Sequence, residues 1–560
     1  MRVAVQGCSH GCLTQIYDSI AQYEVKKSTK IHLLLLCGDF QALRSTHDFA
    51  SLAVPPKYQS LGTFHEYYSG KRVAPILTIV IGGNHEASNY MWELFHGGWL
   101  APNIYYLGAA GSVRVNGLRI VGASGIYKSH DYNKGYFETV PYDRSTLRSV
   151  YHIRKYAIER LKLLPQEANT IAMSHDWPTT IANHGDKNGL IRRKPFFREE
   201  VETNTLGSPP LLDLLRTLQA DYWFSAHLHV KFAAVYEHAS SASVTAPTID
   251  LVAQAIEEVK AASTNPDEID IDEIDEEIGT TSAPVIPEPS ANPDEISIED
   301  EFDEPAASAT GPSGNPDEIT IDDEFDDDID NVPAGPAETI VYPRKNGVDG
   351  RRQGEAAQEL QVDESVDLVE QARLKGDAEA TRGVIGTSEP VVDPLANTES
   401  TADGRVTKFL ALDKCGPGKE FIQYLDVPAP STSIDDGPPR LTFDPHWLAI
   451  TRALHPYLSL EIASKPFPPR QQLDQMVQAE LKRIQEEGLL VPSAEGVEPG
   501  GLVWEKGDID IGRVQKFWPT APAQGEPGGS STAWYTNPQT EAFCGMLQIP
   551  NRINPAPIGV

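Results

Sequence analysis

The first 240 residues predict a mixed α/β fold, residues 241–403 predict no fold of their own, and order is predicted to resume near residue 404. Three observations carry this. Short apolar runs alternate with helical stretches and turn signals up to about residue 238. From there Ser, Ala, Thr, Pro and acids dominate with very few aromatics, which is too little apolar surface to offset the entropy of the chain. Apolar and amphipathic segments then return and continue to about residue 490.

In chain order, strands are predicted at 3–5, 33–36, 77–81, 120–122, 170–173, 222–225 and 231–236. Three of them end in loops loaded with chemistry: Gly-Cys-Ser-His after the first, Cys-Gly-Asp-Phe after the second and Gly-Gly-Asn-His-Glu after the third. Strand ends in α/β sheets are where sites gather. Beyond the acidic stretch, the apolar runs 407–412 and 421–425 flank Cys415-Gly-Pro-Gly and predict a hairpin. A lone hairpin is marginal in water, so this one is expected to pack on the N-terminal part. Helices are predicted at 444–454 and 471–487, the second amphipathic through Leu473, Met476, Val477, Leu481 and Ile484. Residues 491–560 are rich in Pro and Gly, and little regular structure is expected there.

The formal charge of -33 argues at first against a nucleic-acid partner. Its placement removes the argument. Residues 1–240 hold 25 Lys and Arg against 20 Asp and Glu, a balance of +5, whereas residues 251–340 hold 28 acids against Lys260 alone, a balance of -27. Within that acidic stretch Asn-Pro-Asp-Glu-Ile recurs at Asn265, Asn292 and Asn315. The repeat reads either as a duplicated solvating linker or as a linear motif for protein partners with a basic groove. Cysteines number five, at 8, 12, 37, 415 and 544, with no secretory core segment and no apolar run long enough to span a membrane. A reducing compartment and no membrane partner are expected. Without a disulfide framework, a Cys in a polar loop becomes a candidate ligand.

The metal-capable residues at the strand ends are Cys8 and His10, then Asp39, then Asn84 beside His85, then His175, then His227 and His229. One carboxylate between two clusters of N and O donors can bridge two divalent ions, and such a pair can activate water and clamp a phosphoryl group. If the last loop is strand-like, His227 and His229 project on one side and each reaches a different ion. His32, His47, His65, His152, His238, His446 and His455 read as ordinary core or surface residues, with His96 and His184 left open.

The ordered set Cys8-x-His10, Gly38-Asp39, Gly83-Asn84-His85-Glu86, His175 and His227-x-His229 resembles the calcineurin-like metallophosphoesterase superfamily. There the first motif is usually Asp-x-His. Gln6-Gly7-Cys8-Ser9-His10-Gly11 narrows the resemblance to the lariat debranching enzymes, as do Ser174-His175-Asp176-Trp177-Pro178, Ser225-Ala226-His227-Leu228-His229-Val230 and the run from Thr407 to Cys415. The likeness is dense over residues 1–238 and good over 405–460. It implies a catalytic domain at 1–240, a β-sandwich flanked by helices, with a C-terminal domain at 404–490 packed on it and a disordered acidic insertion at 241–403. It implies a first metal held by Cys8, His10, Asp39 and His229, a second held by Asp39, Asn84, His175 and His227, and His85 facing the scissile phosphate as the catalytic side chain. Fe2+ and Zn2+ are expected, with Mn2+ able to substitute, because a thiolate at Cys8 favours softer ions.

Residues 124–154 match the family's lariat recognition loop. Tyr127, Tyr132, Tyr136, Phe137 and Tyr142 interleave with Lys128, Lys134, Arg144 and Arg148, which offers flat faces for unstacked bases and cations for phosphates. His130 and Arg154 complete the RNA-binding set. A second basic run, Lys187, Arg192, Arg193, Lys194 and Arg198, follows the His175 loop. The expected activity is hydrolysis of the 2'-5' phosphodiester at the branch of intron lariat RNA, in the nucleus, with the cytoplasm as a second location. The alternatives are another metallophosphoesterase, acting on phosphoprotein or nucleotides, and a splicing-associated scaffold.

Overall fold

The computed structural model describes residues 1–239, 405–428, 438–493 and 501–557. The acidic stretch with its three repeats, and the disorder expected of it, lie outside them. Three parallel strands open the fold: β1 (Arg2–Gln6), β2 (Leu33–Leu36) and β3 (Leu77–Val80), followed by β4 (Gly98–Ala101) and β5 (Ile104–Tyr106). β2 is four consecutive leucines, all buried, because a parallel strand covered on both faces needs no polar side. The helix Leu13–Lys27 covers this sheet with Leu13, Ile16, Tyr17 and Ile20, a helical spacing that packs against Ala4, Leu34 and Leu36.

A second sheet takes β6 (Ala110–Val115), β7 (Leu118–Ala123), β8 (Thr170–Ser174), β9 (Tyr222–Ser225) and β10 (Phe232–Glu237). It lies against the first: a Cβ on Gly122 of β7 would meet the side chains of Ile81 and Leu107 at 2.6 Å. The architecture is thus mixed α/β, two sheets with flanking helices. The seven predicted strands all form, within two residues at their ends. β4, β5 and β6 were not predicted: β4 and β5 are only four and three residues long, and β6 opens on Ala-Gly-Ser before its apolar residues begin.

The predicted hairpin does not form. β11 (Val406–Ala411) enters the second sheet between β9 and β10, parallel to one and antiparallel to the other. β12 (Ile422–Asp426) pairs instead with β1 at the edge of the first sheet. Apolar runs around a turn state that two strands exist, not which partners they take, and each run here gains a full ladder rather than a marginal one. The resulting orders are β12-β1-β2-β3-β5-β4 and, with β13 (Leu441–Phe443) at its edge, β10-β11-β9-β8-β7-β6-β13.

The helix Pro445–Leu454 starts at Asp444, whose side chain accepts from His446 N–H as its N-cap. The same carboxylate, fully buried, pairs with Arg119 at 2.8 Å and accepts from Ser112 Oγ at 2.7 Å, tying the helix start to β6 and β7. The helix Arg470–Glu487 buries Leu473, Val477, Leu481 and Ile484 as its spacing predicts. Residues beyond 491 contradict the expectation of little structure. β14 (Leu489–Pro492) and β15 (Leu502–Glu505) pair, and a helix spans Pro538–Leu547. This segment is bonded to the N-terminal part throughout. Gln515 bonds Tyr105 and the carbonyl of Gly97, Thr520 and Thr540 reach Glu93, and Gln539 accepts from Trp99 N–H. Pro and Gly here produce irregular backbone satisfied by side chains, which is different from absence of order.

Candidate metal centre

Because β1, β2, β3 and β7, β8, β9 each run parallel within their sheets, the two sheets deliver loops to a common end. Five such loops carry the candidate ligands, and they are stitched together by their backbones. His10 N–H donates to the carbonyl of Asp39 at 2.6 Å, and His85 N–H donates to Asp39 Oδ1 at 2.9 Å. His10, Asp39, His227 and His229 all have positive φ, between 44° and 62°. Left-handed backbone in four non-glycine residues at one place costs on the order of 1 kcal/mol or more apiece, and such strain clusters where a site over-determines the chain. Glycine is required beside them. A Cβ on Gly38, itself at φ 106°, would sit 2.3 Å from His175 Nδ1, and one on Gly83 would sit 2.2 Å from Asp39 Oδ1.

The structure brings all seven predicted ligands together. Donor atoms of Cys8, His10, Asp39 and His229 lie within 4.8 Å of one another. On the other side of Asp39, His175 Nε2 is 3.3 Å from its Oδ1 and 3.1 Å from Asn84 Oδ1, and the His227 ring lies tilted with its centroid 5.0 Å from that of His175. His175 is aimed by its other nitrogen, which donates to the carbonyl of Cys37 at 2.8 Å. His227 and His229 do part to the two sides, but not by strand alternation. Both are left-handed residues of a bend after β9, which corrects the strand-like reading of that loop.

The electrostatics suit cations. Burial lowers His10 to about 4 and His227 to about 3, and also holds His229 well below the ordinary imidazole value, so these imidazoles are held neutral with lone pairs to give. His10 Nε2 and His229 Nε2 face each other at 3.1 Å. Asp39 is buried, which opposes its charge, yet His175, His85 and His10 hold its carboxyl well below the usual range. Burial, then the charge of Asp39, pushes the Cys8 thiol far up, so a thiolate there requires a cation beside it. Buried donors of both hard and soft type, converging around one carboxylate, fit a pair of divalent metals.

His85 is placed differently from the ligands. Its Nδ1 donates to the carbonyl of Ala53 at 3.1 Å, which leaves Nε2 on the side of the site, 3.1 Å from Asn84 Nδ2. Its ring lies 5.8 Å from that of His10.

Two carboxylates that organise the site were named only as parts of motifs. Glu86, buried and pushed up to about 7 by that burial and by Asp39, accepts from Phe40, Gln41 and Gly83 N–H groups and so clamps the second loop to the third. Asp176, raised to about 6 by burial, accepts from Trp177 and Tyr127 and so joins the His175 loop to the recognition segment. Their signal in the sequence is position: each stands one or two residues after a candidate ligand.

The recognition segment divides. His130, Arg144 and Arg148 are exposed, while Tyr127, Lys128, Tyr132, Lys134 and Phe137 are half-buried with surface to offer. Tyr136 and Arg154 are buried, against their expected role as surface contacts. Arg154 is bonded to Glu138 and to the carbonyls of Ser149 and Asp131, bracing the segment from within. The C-terminal block holds the segment from outside, through Tyr136 N–H to the carbonyl of Ser459 and Gly135 N–H to that of Ile462. Of the second basic run, Arg192, Arg193 and Arg198 face solvent.

Residues 1–231 match the calcineurin-like phosphoesterase family, and residues 404–552 match the lariat debranching enzyme C-terminal domain. Lariat debranching enzyme A of Xenopus laevis is 57% identical over 238 residues, covering 42% of this chain and 44% of that protein. The lariat debranching enzyme of Homo sapiens is likewise 57% identical over 238 residues, with the same coverage. That of Arabidopsis thaliana is 54% identical over 245 residues, 44% of this chain and 58% of that protein. The matched region thus spans about half the length of these relatives.

Proposed function

This chain belongs to the lariat debranching family of calcineurin-like phosphoesterases, and from that premise we propose that it hydrolyses the 2'-5' phosphodiester at the branch of intron lariat RNA. The observation that carries the reading is the convergence of two donor sets on Asp39, with Cys8 in one of them and an aromatic, basic segment alongside. Cys8, His10, Asp39 and His229 would hold one ion, and Asp39, Asn84, His175 and His227 the other. Two divalent metals bound there supply an activated water and positive charge for the phosphoryl oxygens.

The chain's own residues do the rest. Asn84 contributes a neutral oxygen, so the centre is not overloaded with anions where a phosphate must enter. His85, fixed through Ala53, presents Nε2 to the substrate, where it stabilises the developing charge or protonates the departing 2' oxygen. Lys128, Arg144 and Arg148 meet backbone phosphates, and Tyr127, Tyr132 and Phe137 stack with unpaired bases. The thiol at Cys8 favours zinc or ferrous iron in the first position, with manganese able to substitute. Metal content of the purified chain checks that assignment, because a Cys8→Ser variant with unchanged zinc or iron removes Cys8 from coordination. The nucleus, where lariats arise, is the proposed location.

Incubating the full chain with 2'-5' branched RNA, linear 3'-5' RNA and a phosphopeptide tests the function. Selective cleavage of the branch, yielding a 5' phosphate and a free 2' hydroxyl, is expected. Preference for the phosphopeptide would favour a different phosphoesterase, and no cleavage of any of the three would leave a scaffold.

A further inference from the structure

Beyond Tyr136 the recognition segment and the end of the chain enclose a cleft of about 230 Å³. Its lining includes Trp92, Tyr136, Glu138 and Tyr142 from the N-terminal part of the chain and Trp534 and Arg552 from its end. It is more than three times roomier than the cavities of about 60 and 70 Å³ on either face of the same segment.

Three features say what would enter it. The first is an uncovered indole, since Trp534 keeps 48% of its surface exposed while lining the cleft. Large flat side chains left open beside other aromatics suit stacking with a base. The second is charge. Arg552 is anchored by donating to the carbonyl of Leu458 at 2.7 Å, which fixes a cation on the wall. The acid that shares the lining, Glu138, is already paired with Arg154 and accepts from Ser149 Oγ at 2.5 Å, so its charge is balanced within the protein. The third is continuity. Trp92 and Tyr136, with rings 5.9 Å apart, also line the cavity of about 60 Å³ that Gly83 and Glu86, the residues flanking Asn84 and His85, line as well. The cleft thus shares two aromatic residues with a cavity that reaches the loop of the metal centre.

We propose that this cleft binds one nucleotide of an RNA arm flanking the branch, its base stacked on Trp534 and its phosphate met by Arg552. The inference rests on the debranching reading and adds to it a substrate contact supplied by the C-terminal segment.

The test uses the full chain and four synthetic branched RNAs: a minimal branch with one-nucleotide arms, and three others that each extend one arm. For one of the extended RNAs, Trp534→Ala is expected to raise KM relative to the minimal RNA by about tenfold, with kcat kept. Trp534→Phe should restore most of the loss, because a ring is what the base needs. A KM ratio that stays at the wild-type value for all three arms, or a fall in kcat of the same size for all four RNAs, overturns the subsite. Failure of the wild-type chain to cleave any of the four branched RNAs refutes the debranching reading itself, and the two failures are thereby told apart.

Discussion

Among the described residues two carboxylates stand in clusters with histidines, and only one of these two has the makings of a metal site. Asp39 and Asp131 each sit in a group of side chains whose donor atoms lie within 4.8 Å of one another. Around Asp39 the neighbours are imidazoles, an amide and a thiol, and among the described residues no lysine or arginine pairs with it. Around Asp131 the neighbours are His130 and His152, but Lys134 also reaches it at 2.7 Å and Arg154 stands at 3.9 Å. The second group is a charge already balanced by the protein, which braces the recognition segment. Donor geometry alone does not separate the two; the presence or absence of protein cations does.

Substituting both carboxylates would break that contrast most directly. Asp39→Ala is expected to strip both ions and reduce branch cleavage to background, whereas Asp131→Asn should leave metal content unchanged and weaken RNA binding. Elemental analysis beside a cleavage assay decides it, and loss of metal in the Asp131 variant would erase the distinction.

Within the Asp39 centre, His85→Ala is expected to lower turnover by on the order of 100-fold while both ions stay bound, since the substitution removes a proton donor and no ligand. If metal is lost in step with activity, His85 belongs to the ligand framework.

Asp444 extends the Asp131 pattern to a buried pair. Burial opposes its charge, but His446, Arg119 and Arg114 hold its carboxyl below the ordinary value of 3.8. A depressed carboxyl stabilises the fold fully above its unfolded value and loses that contribution as pH falls through the folded one. Thermal stability of the native chain should therefore fall below about pH 4. Asp444→Asn should cost roughly 3 kcal/mol at neutral pH and flatten the acid limb, Glu167 remaining as a partner for Arg119. Melting curves between pH 3 and 7 measure both.

The smallest effect is expected from the largest change. His238 N–H bonds the carbonyl of Arg405 at 2.9 Å, so the two ends of the acidic stretch lie side by side. Replacing residues 241–403 by a short Gly/Ser linker should leave branch cleavage nearly intact, while truncation at residue 400 should yield insoluble protein, because β11 and β12 are lost from both sheets. A soluble, active truncation would make the C-terminal block an accessory.

The metal centre was legible because each of its members stands in the loop directly after an apolar strand, where a few residues of local sequence carry both the strand and the ligand. The recognition segment was legible as a composition, but burial of Tyr136 and Arg154 depends on Ser459 and Glu138, which local pattern does not connect to them. Least legible were pairings across long separations. The runs at 407–412 and 421–425 were recognised as strands and given to each other, although the pleat of each fits a distant partner equally well. The segment beyond 491 failed for a related reason: Gln515, Thr520, Thr540 and Gln539 have no periodicity, and only their partners on the N-terminal part show why they are ordered.

The place of β11 between β9 and β10 also sets a timetable. The two older strands leave the ribosome nearly 170 residues before the one that must lie between them, an interval of about 10–35 s at ordinary synthesis rates. Until then β9 and β10 carry open edges, the kind of surface on which nascent copies join one another. What is being synthesised meanwhile is the segment with a net charge of -27, and neighbouring chains that each trail it repel. Like charge of that size is expected to keep growing chains apart during the interval in which their sheets are incomplete.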